Sequence, residues 1–212
     1  MDDFADLDSC DVSRSLHEQR LATVLHALLA SGAETVLDLG CGAGELLIRL
    51  ARERQFRSIV GIDISAQALQ AAEALIGTEL ARDASRVSLL EASFAHPDSR
   101  LQGYDAAALV ETIEHVEPNR LTNVERAVFR GYRPATVIVT TPNSEYNVLH
   151  GMPLWALRHP DHRFEWTRAK FRAWAFGAAR RNGYAVAFCG IGEPDLLLGS
   201  STQMATFTLR EA

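Results

Sequence analysis

The chain has 212 residues and a formal net charge of −6 at pH 7, with 47% hydrophobic and 23% charged residues. A chain of this length fits one domain with a sizeable core and needs neither disulfides nor a structural metal to fold. Proteins that bind long tracts of nucleic acid are usually basic, so the acidic balance leaves only a short contact such as a strand end. The three cysteines, Cys10, Cys41 and Cys189, are odd in number and widely spaced, which argues against a disulfide framework and predicts a cytoplasmic location.

The N-terminal segment is acidic and polar, unlike a secretory or transit signal. Its composition predicts a disordered tail over residues 1–14. From Ser15 to Leu29 apolar residues recur at helical spacing, and Gly32 supplies a stop signal, so we predict an N-terminal helix over residues 15–31. No apolar run approaches the roughly 20 residues that cross a bilayer, which predicts no membrane partner.

After this helix, short apolar runs alternate with longer amphipathic or Ala-rich stretches. The short runs predict buried strands at Thr35–Leu39, Ser58–Ile62, Val87–Leu90, Asp105–Val110 and Ala135–Thr140. The longer stretches predict helices at Glu45–Glu53, Ala66–Leu80 and Leu121–Arg130. Such alternation indicates a mostly parallel sheet with helices on both faces.

The last third of the chain has a different character. A loop-rich segment over residues 142–167 leads into a predicted helix at Arg168–Arg181. Two strand candidates follow, Tyr184–Cys189 and Gln203–Leu209, and no helix separates them. They predict an antiparallel finish to a seven-stranded α/β sheet.

A glycine-rich turn directly follows the first predicted strand. Gly40, Gly42 and Gly44 form a GxGxG pattern, in which the backbone turns tightly and a ligand can approach main-chain atoms. The pattern alone also fits a dinucleotide site. Two details favour S-adenosylmethionine: Asp38 precedes the glycines, where it can hold the cationic amino-acid end of the cofactor, and the third glycine of a dinucleotide fingerprint is missing.

Two later strand ends extend this candidate cofactor site. Asp63 ends the second strand about 20 residues after the glycines, where an acidic residue can accept both ribose hydroxyls. Ser93 and Phe94 follow the third strand and are candidates for hydrogen bonding near the adenine and for packing on its ring. Ordinary loop and core roles suit these two equally well. Together the features resemble a Rossmann-like class I methyltransferase, with a single domain over residues 15–212.

Polar side chains with metal-binding chemistry follow the fourth predicted strand. Glu111, Glu114 and His115 lie at i, i+3 and i+4, so they converge on one face if the segment is helical. Ligands of doubly wound folds bind outside the carboxyl ends of the strands, and a divalent cation would join two carboxylates and an imidazole there. The alternative is a solvated helix face.

A fourth ligand is predicted in the loop-rich segment. His162 is the best candidate because its surroundings, residues 158–168, are dense in histidine, arginine and aromatic residues. His159, beside a proline, fits a surface histidine better.

Three separated motifs resemble the HEN family of RNA methyltransferases. They are the ExxEH of residues 111–115, the TPNSEYN of residues 141–147 and the DHRFEWTR of residues 161–168, and the resemblance spans Leu16 to Phe207. The LHEQR of residues 16–20 resembles the family's approach to the domain. The third-strand ending at Glu91 and Ala92 departs from the family, which puts the adenine contacts in doubt.

The resemblance implies an enzyme that methylates the 2′-hydroxyl of the 3′-terminal nucleotide of RNA, with S-adenosylmethionine as methyl donor. It implies that Mg²⁺ or Mn²⁺ is held by four catalytic ligands, Glu111, Glu114, His115 and His162. It also implies that the RNA 3′ end is the binding partner, and that an RNA-repair kinase, phosphatase or ligase is a further partner. Arg20, Arg163 and Arg168 are candidates for the terminal phosphates. Trp155, Trp166 and Trp174 are candidates for base stacking or for core packing.

Two other functions remain open at this point. A methyltransferase for a small metabolite would also suit the acidic charge, and its activity would survive EDTA. A non-catalytic subunit of an RNA-repair assembly is the second alternative, although the intact acidic, glycine and ligand positions argue against it.

Overall fold

Strands and helices alternate along most of the chain in the computed structural model, which describes residues 5–80, 83–153 and 155–210. The strands are β1 (Thr35–Leu39), β2 (Ser58–Asp63), β3 (Val87–Glu91), β4 (Ala106–Val110), β5 (Thr136–Pro142), β6 (Tyr184–Ile191) and β7 (Thr202–Leu209). The helices are α1 (Ala5–Ala30), α2 (Glu45–Arg52), α3 (Ala66–Glu79), α4 (Leu121–Glu125) and α5 (Arg168–Asn182). Each strand lies within two residues of its predicted bounds.

All seven strands form one sheet in the order β3-β2-β1-β4-β5-β7-β6. The first five strands of this order pair in parallel, whereas β7 pairs antiparallel with both β5 and β6. The chain therefore has the predicted class I methyltransferase sheet, including its antiparallel finish. The strand order reverses between β1 and β4, and in such sheets the crevice outside the carboxyl ends at this point is where ligands bind.

Each face of the sheet carries its own hydrophobic core, because successive strand residues point to opposite faces. Val36 of β1 and Ile59 of β2 pack with residues of α1, α2 and α3. Leu37 of β1, in contrast, packs with residues of α4 and α5. Both faces of the sheet are therefore covered, as its continuous apolar strands require.

Two helices differ from their predicted form. α1 begins at Ala5, so the helix includes residues 5–14, which the sequence placed in the disordered tail; residues 1–4 lie outside the described residues. α4 ends at Glu125 and continues as a π-helix over Arg126–Tyr132. None of the helices in the described ranges is long and apolar enough to cross a membrane.

One carboxylate ties the start of β1 to the start of β4. Asp105 Oδ2 accepts hydrogen bonds from the backbone N–H groups of Glu34 and Thr35 (3.0 and 2.9 Å) and from Thr35 Oγ1 (2.8 Å). Partial burial raises the pKa of Asp105, but the hydrogen bonds from Thr35 and Glu34 outweigh it and bring the pKa below its ordinary value. The central pair of strands is thus fixed at the end opposite the ligand crevice.

We expect Asp105→Ala to lower the free energy of unfolding by about 1–3 kcal/mol at pH 7, because it leaves backbone donors without an acceptor. A carboxyl with a lowered folded pKa stabilises the protein above its ordinary pKa and loses that effect as the pH falls through the folded value. The difference from wild type should therefore shrink at about pH 3. Urea denaturation at both pH values measures it. Glu34→Ala, which removes an exposed partner of Arg57, is the control, and an equal loss from both variants would contradict the assignment.

Candidate active site

A cavity of about 890 Å³ opens at the switch point of the sheet. Its walls come from α1, the glycine-rich turn after β1, the ends of β2 and β4, and the loop around residues 159–161. The lining includes most of the predicted site residues, namely Asp38, Gly40, Gly42, Asp63, Phe94, Glu111 and His115.

The glycine-rich turn lies directly against the end of β4. Gly40 has a φ of +86°, and a Cβ at this position would lie 2.5 Å from Thr112 Cγ2. The N–H groups of Gly40 and Cys41 donate to the carbonyl oxygen of Ile62 at 2.7 and 2.9 Å. Only glycine satisfies both the backbone conformation and the close approach, so the turn is held between β2 and β4 as the sequence pattern predicts.

Asp63 closes the turn from the end of β2. Its Oδ2 accepts from the N–H of Gly42 at 3.0 Å and its Oδ1 from the N–H of Ser65 at 2.9 Å. The carboxylate is therefore fixed at the cavity wall, at the place where a ribose acceptor is predicted.

Asp38 is a buried acid at the end of β1, on the cavity wall beside the glycine-rich turn. The residue is 2% exposed, and its Oδ2 has no hydrogen-bond partner among the described residues. Burial, and then the charge of Asp63, raise its pKa to about 7. A buried carboxylate oxygen without a partner is costly, so it fits a ligand that brings a positive group.

The two residues predicted for the adenine region differ in their surroundings. Phe94 lines the cavity and packs against the core. Ser93 Oγ accepts from the N–H of Ala95 at 3.3 Å and so stabilises the turn after β3. Phe94 thus lies at the cavity wall, whereas Ser93 has a local backbone partner.

Glu111 and Glu114 do not lie on one face of an α-helix, contrary to the helical hypothesis. Glu111 has a left-handed φ of +50°, and only Ile113–His115 form a short 3-10 helix. The reason is a long-range contact: the N–H of Glu111 still bonds to Thr140 of β5, at 3.0 Å to Oγ1, so the chain turns sharply after β4. This turn nevertheless brings both carboxylates to the carboxyl ends of the central strands.

Each of these carboxylates keeps one buried oxygen without a partner among the described residues: Oε1 of Glu111 and Oε1 of Glu114. The other oxygen of Glu111 pairs with Arg20 at 3.2 Å, and that of Glu114 accepts from Thr141 Oγ1 at 3.0 Å. Burial raises the pKa of Glu111, with Arg20 opposing, and burial together with the charge of Glu111 raises the pKa of Glu114 well above its ordinary value. The arrangement is unfavourable without a cation.

The loop-rich segment brings His162 to this place. The N–H of Arg163 donates to the carbonyl oxygen of Glu114 at 2.7 Å, which fixes the segment beside the 3-10 helix. The ring centroids of His115 and His162 are 4.8 Å apart. Partial burial, and then the neighbouring His162, lower the pKa of His115, which favours the neutral imidazole that binds metals.

His159 joins these two histidines, although the sequence favoured a surface role for it. One ligating atom from each of His115, His159 and His162 lies within 4.8 Å of the others. The side chain of His159 is nonetheless 53% exposed. His159 is therefore a surface residue, as the sequence predicts, and it also converges with the other two histidines.

The predicted phosphate-binding arginines are all engaged in ion pairs. Arg20 pairs with Glu111, and the other two pairs are Arg163 with Glu117 (3.5 Å) and Arg168 with Glu145 (2.6 Å).

The three tryptophans divide between core and surface. Trp166 is buried, and Trp174 is partly buried and packs against the core, so neither is available to stack on a base. Trp155 is 85% exposed and stays a candidate for base stacking.

Sequence reasoning missed the groups that support His162. The buried carboxylate of Glu165 accepts from His162 Nδ1 at 2.7 Å, and Arg158 and Asn147 surround it. All three residues lie in or beside the motifs of residues 141–147 and 161–168. Their spacing along the chain follows no helical or strand period, so the sequence alone does not indicate that they meet.

Comparison with known proteins agrees with this geometry. A family model described as a methyltransferase domain matches residues 36–135. The methyltransferase domain of bacterial CtHen1, known from a crystal structure, is 45% identical with a TM-score of 0.84, and the match covers 92% of this chain and 100% of that one. A small RNA 2′-O-methyltransferase of Arabidopsis thaliana is 34% identical over 93% of this chain. One of Mus musculus is 35% identical over 91% of it.

The sheet, the glycine-rich turn and the cavity define a class I methyltransferase domain. The match with CtHen1 over nearly the whole chain then fixes the family: this chain belongs to the Hen1 family, as its three motifs predict. It spans 23% of the length of the Arabidopsis relative and 51% of the mouse relative.

We expect Glu114→Gln to stabilise the protein in EDTA by about 0.5–2 kcal/mol, because it removes one of two buried like charges. The raised folded pKa of Glu114 means that its ionisation costs stability as the pH rises, so the gain should be larger at pH 8 than at pH 5. Thermal unfolding measures the effect. Glu125→Gln is the control: Arg181 and Asn182 hold that carboxylate, so the variant should be less stable than wild type. A less stable Glu114→Gln would refute the unfavourable pair.

Proposed function

We propose that this chain methylates the 2′-hydroxyl of the 3′-terminal nucleotide of RNA, with S-adenosylmethionine as methyl donor and a divalent cation, Mg²⁺ or Mn²⁺. The observation that carries the proposal is that Glu111 and Glu114 each bury a carboxylate oxygen with no partner among the described residues, while the next residue, His115, converges with His159 and His162. The relatives from Arabidopsis thaliana and Mus musculus are named small RNA 2′-O-methyltransferases, which supports this acceptor.

The cofactor half of the cavity fits S-adenosylmethionine. Asp38 offers a buried carboxylate oxygen to the cationic amino-acid end, and Asp63 offers a fixed carboxylate to the ribose. Gly40 and Gly42 give access to the backbone, and Phe94 supplies an apolar wall for the adenine, with Ser93 beside it. This distribution of acids and apolar surface suits a ligand that is positive at one end and aromatic at the other.

The acceptor half fits a hard divalent cation. Glu111, Glu114, His115 and His162 would hold it, since carboxylate oxygens and neutral imidazoles together suit Mg²⁺ and Mn²⁺. When bound, such a cation lowers the pKa of a hydroxyl that it contacts. A 3′-terminal ribose is the one position in RNA with free 2′- and 3′-hydroxyls, so an acceptor site that recognises both selects strand ends.

The chain itself contributes orientation and charge placement. The hydrogen bonds of Asp63 and Gly42 fix the cofactor wall, and the Arg163 contact with the Glu114 backbone fixes the histidine segment opposite it. The methyl group leaves the sulfonium as its bond to the 2′-oxygen forms, and the hydroxyl proton passes to solvent water. The products are 2′-O-methyl RNA and S-adenosylhomocysteine. The acidic charge is consistent with a short footprint at the RNA end.

Methyl transfer to a short RNA tests the proposal. We expect transfer from labelled S-adenosylmethionine in Mn²⁺, none in EDTA, and none to an RNA with a 2′-deoxy terminal nucleotide. Glu111→Gln and His162→Gln should lower the rate by about 10²–10⁴-fold, because each removes a cation ligand. Glu79→Gln, an exposed carboxylate that pairs with Arg52 and does not line the cavity, is the control and should keep the wild-type rate. Transfer to RNA that survives EDTA would overturn the metal dependence. Tight cofactor binding without transfer to either RNA would instead favour a small-molecule acceptor or a non-catalytic subunit.

Cofactor binding should release a proton from Asp38. A positive ligand group favours the ionised carboxyl, so binding lowers a pKa that stands at about 7 in the free protein. At pH 6 we therefore expect proton release on binding of S-adenosylhomocysteine, and an affinity that rises with pH up to about 7. Calorimetry in two buffers of different ionisation enthalpy measures the release. Asp38→Asn should abolish it and weaken binding by about 1.5–3 kcal/mol; release that persists in this variant would exclude Asp38 as the source.

A further inference from the structure

A buried carboxylate lies behind the proposed metal site, on the far side of His162. The side chain of Glu165 is 0% exposed, and both of its oxygens accept hydrogen bonds. Oε1 accepts from His162 Nδ1 at 2.7 Å and from the N–H of Arg158 at 2.6 Å, and Oε2 accepts from Asn147 Nδ2 at 2.7 Å. Each of these contacts of the Glu165 carboxylate is therefore with a hydrogen-bond donor.

Arg158 holds this carboxylate in place from the loop. Its guanidinium donates to Asn147 Oδ1 (2.6 Å), to the carbonyl oxygen of Asn143 (2.7 Å) and to Ser201 Oγ (3.0 Å). Asn143 directly follows β5 and Ser201 directly precedes β7, so the network is anchored to two neighbouring strands of the sheet. Glu165 is therefore a fixed acceptor rather than a mobile one.

The bond to Glu165 decides which nitrogen of His162 carries the proton. Because the carboxylate accepts at Nδ1, the neutral imidazole is protonated there and keeps its lone pair on Nε2. Metal-binding histidines commonly donate their second ring N–H to a carboxylate, which fixes ring orientation and raises the basicity of the ligating nitrogen.

We propose that Glu165 is a positioning residue that holds His162 in the Nδ1–H tautomer with Nε2 free to bind the divalent cation. This inference rests on the proposed function, in which His162 is a cation ligand. Glu165 touches neither RNA nor cofactor in this role and acts only through the imidazole.

The network distinguishes glutamate from its closest substitute, glutamine. In the Glu165→Gln variant, an amide oxygen at the position of Oε1 would still accept from His162, but the amide NH2 group would then face Asn147 Nδ2. Asn147 cannot turn its own amide around without cost, because its Oδ1 already accepts from Arg158. Glu165→Gln therefore changes charge and hydrogen bonding behind His162 while it keeps the volume of the side chain.

The experiment measures Mn²⁺ binding by electron paramagnetic resonance, without RNA or cofactor. We expect Glu165→Gln to weaken Mn²⁺ binding by about 10–100-fold, and saturating Mn²⁺ to restore most of the methyl-transfer rate. The Glu165→Gln and His162→Gln effects on Mn²⁺ affinity should be non-additive, because both act through the same imidazole. Glu145→Gln is the matched control: its carboxylate pairs with Arg168, and the variant should leave the affinity unchanged.

Nitrogen-15 NMR of the metal-free wild type supplies a readout that needs no variant. His162 should appear as the Nδ1–H tautomer. An Nε2–H tautomer, or a Glu165→Gln variant with wild-type Mn²⁺ affinity, would overturn the inference alone. Wild-type protein that binds no Mn²⁺ would instead overturn the proposed metal dependence, and the inference with it.

Discussion

The geometry of the candidate site is organised around two acidic side chains that are buried at one strand end. Glu111 and Glu114 lie at the carboxyl end of β4, and each keeps an oxygen with no partner in the described part of the chain. Such burial opposes folding unless positive charge arrives. Arg20 from α1 supplies part of that charge, and the remaining oxygens are left for a ligand. Under the proposed function, the binding of a cation would offset this loss of stability.

The rest of the site is built around this pair from distant parts of the chain. The sheet topology places β4 beside β1, so the acidic pair lies next to the glycine-rich turn and Asp38. From the other side, a backbone bond from Arg163 to Glu114 fixes the segment that carries the histidines. The acidic pair and the cofactor wall therefore meet at the switch point, as the proposed transfer from a methyl donor to an acceptor hydroxyl requires.

Under the proposed function, charge pairing would explain how an acidic protein presents arginines to an RNA end. Arg163 and Arg168 each pair with a partly exposed glutamate near the cavity. Exposed pairs of this kind contribute little to stability, so a phosphate can replace the glutamate at low cost. Only a few such exchanges are available, which agrees with a footprint limited to the terminal nucleotides.

The sequence determined what depends on local pattern. Strand periodicity predicted all seven strands, and the glycine spacing placed Gly40 and Asp63, because both signals depend on residues near each other in the chain. Tertiary structure decided what depends on long-range contact. The left-handed turn at Glu111 follows from its bond to β5, and the place of His159 and the bond from His162 to Glu165 depend on the path of the loop. No sequence period encodes these contacts, because packing against distant strands sets them.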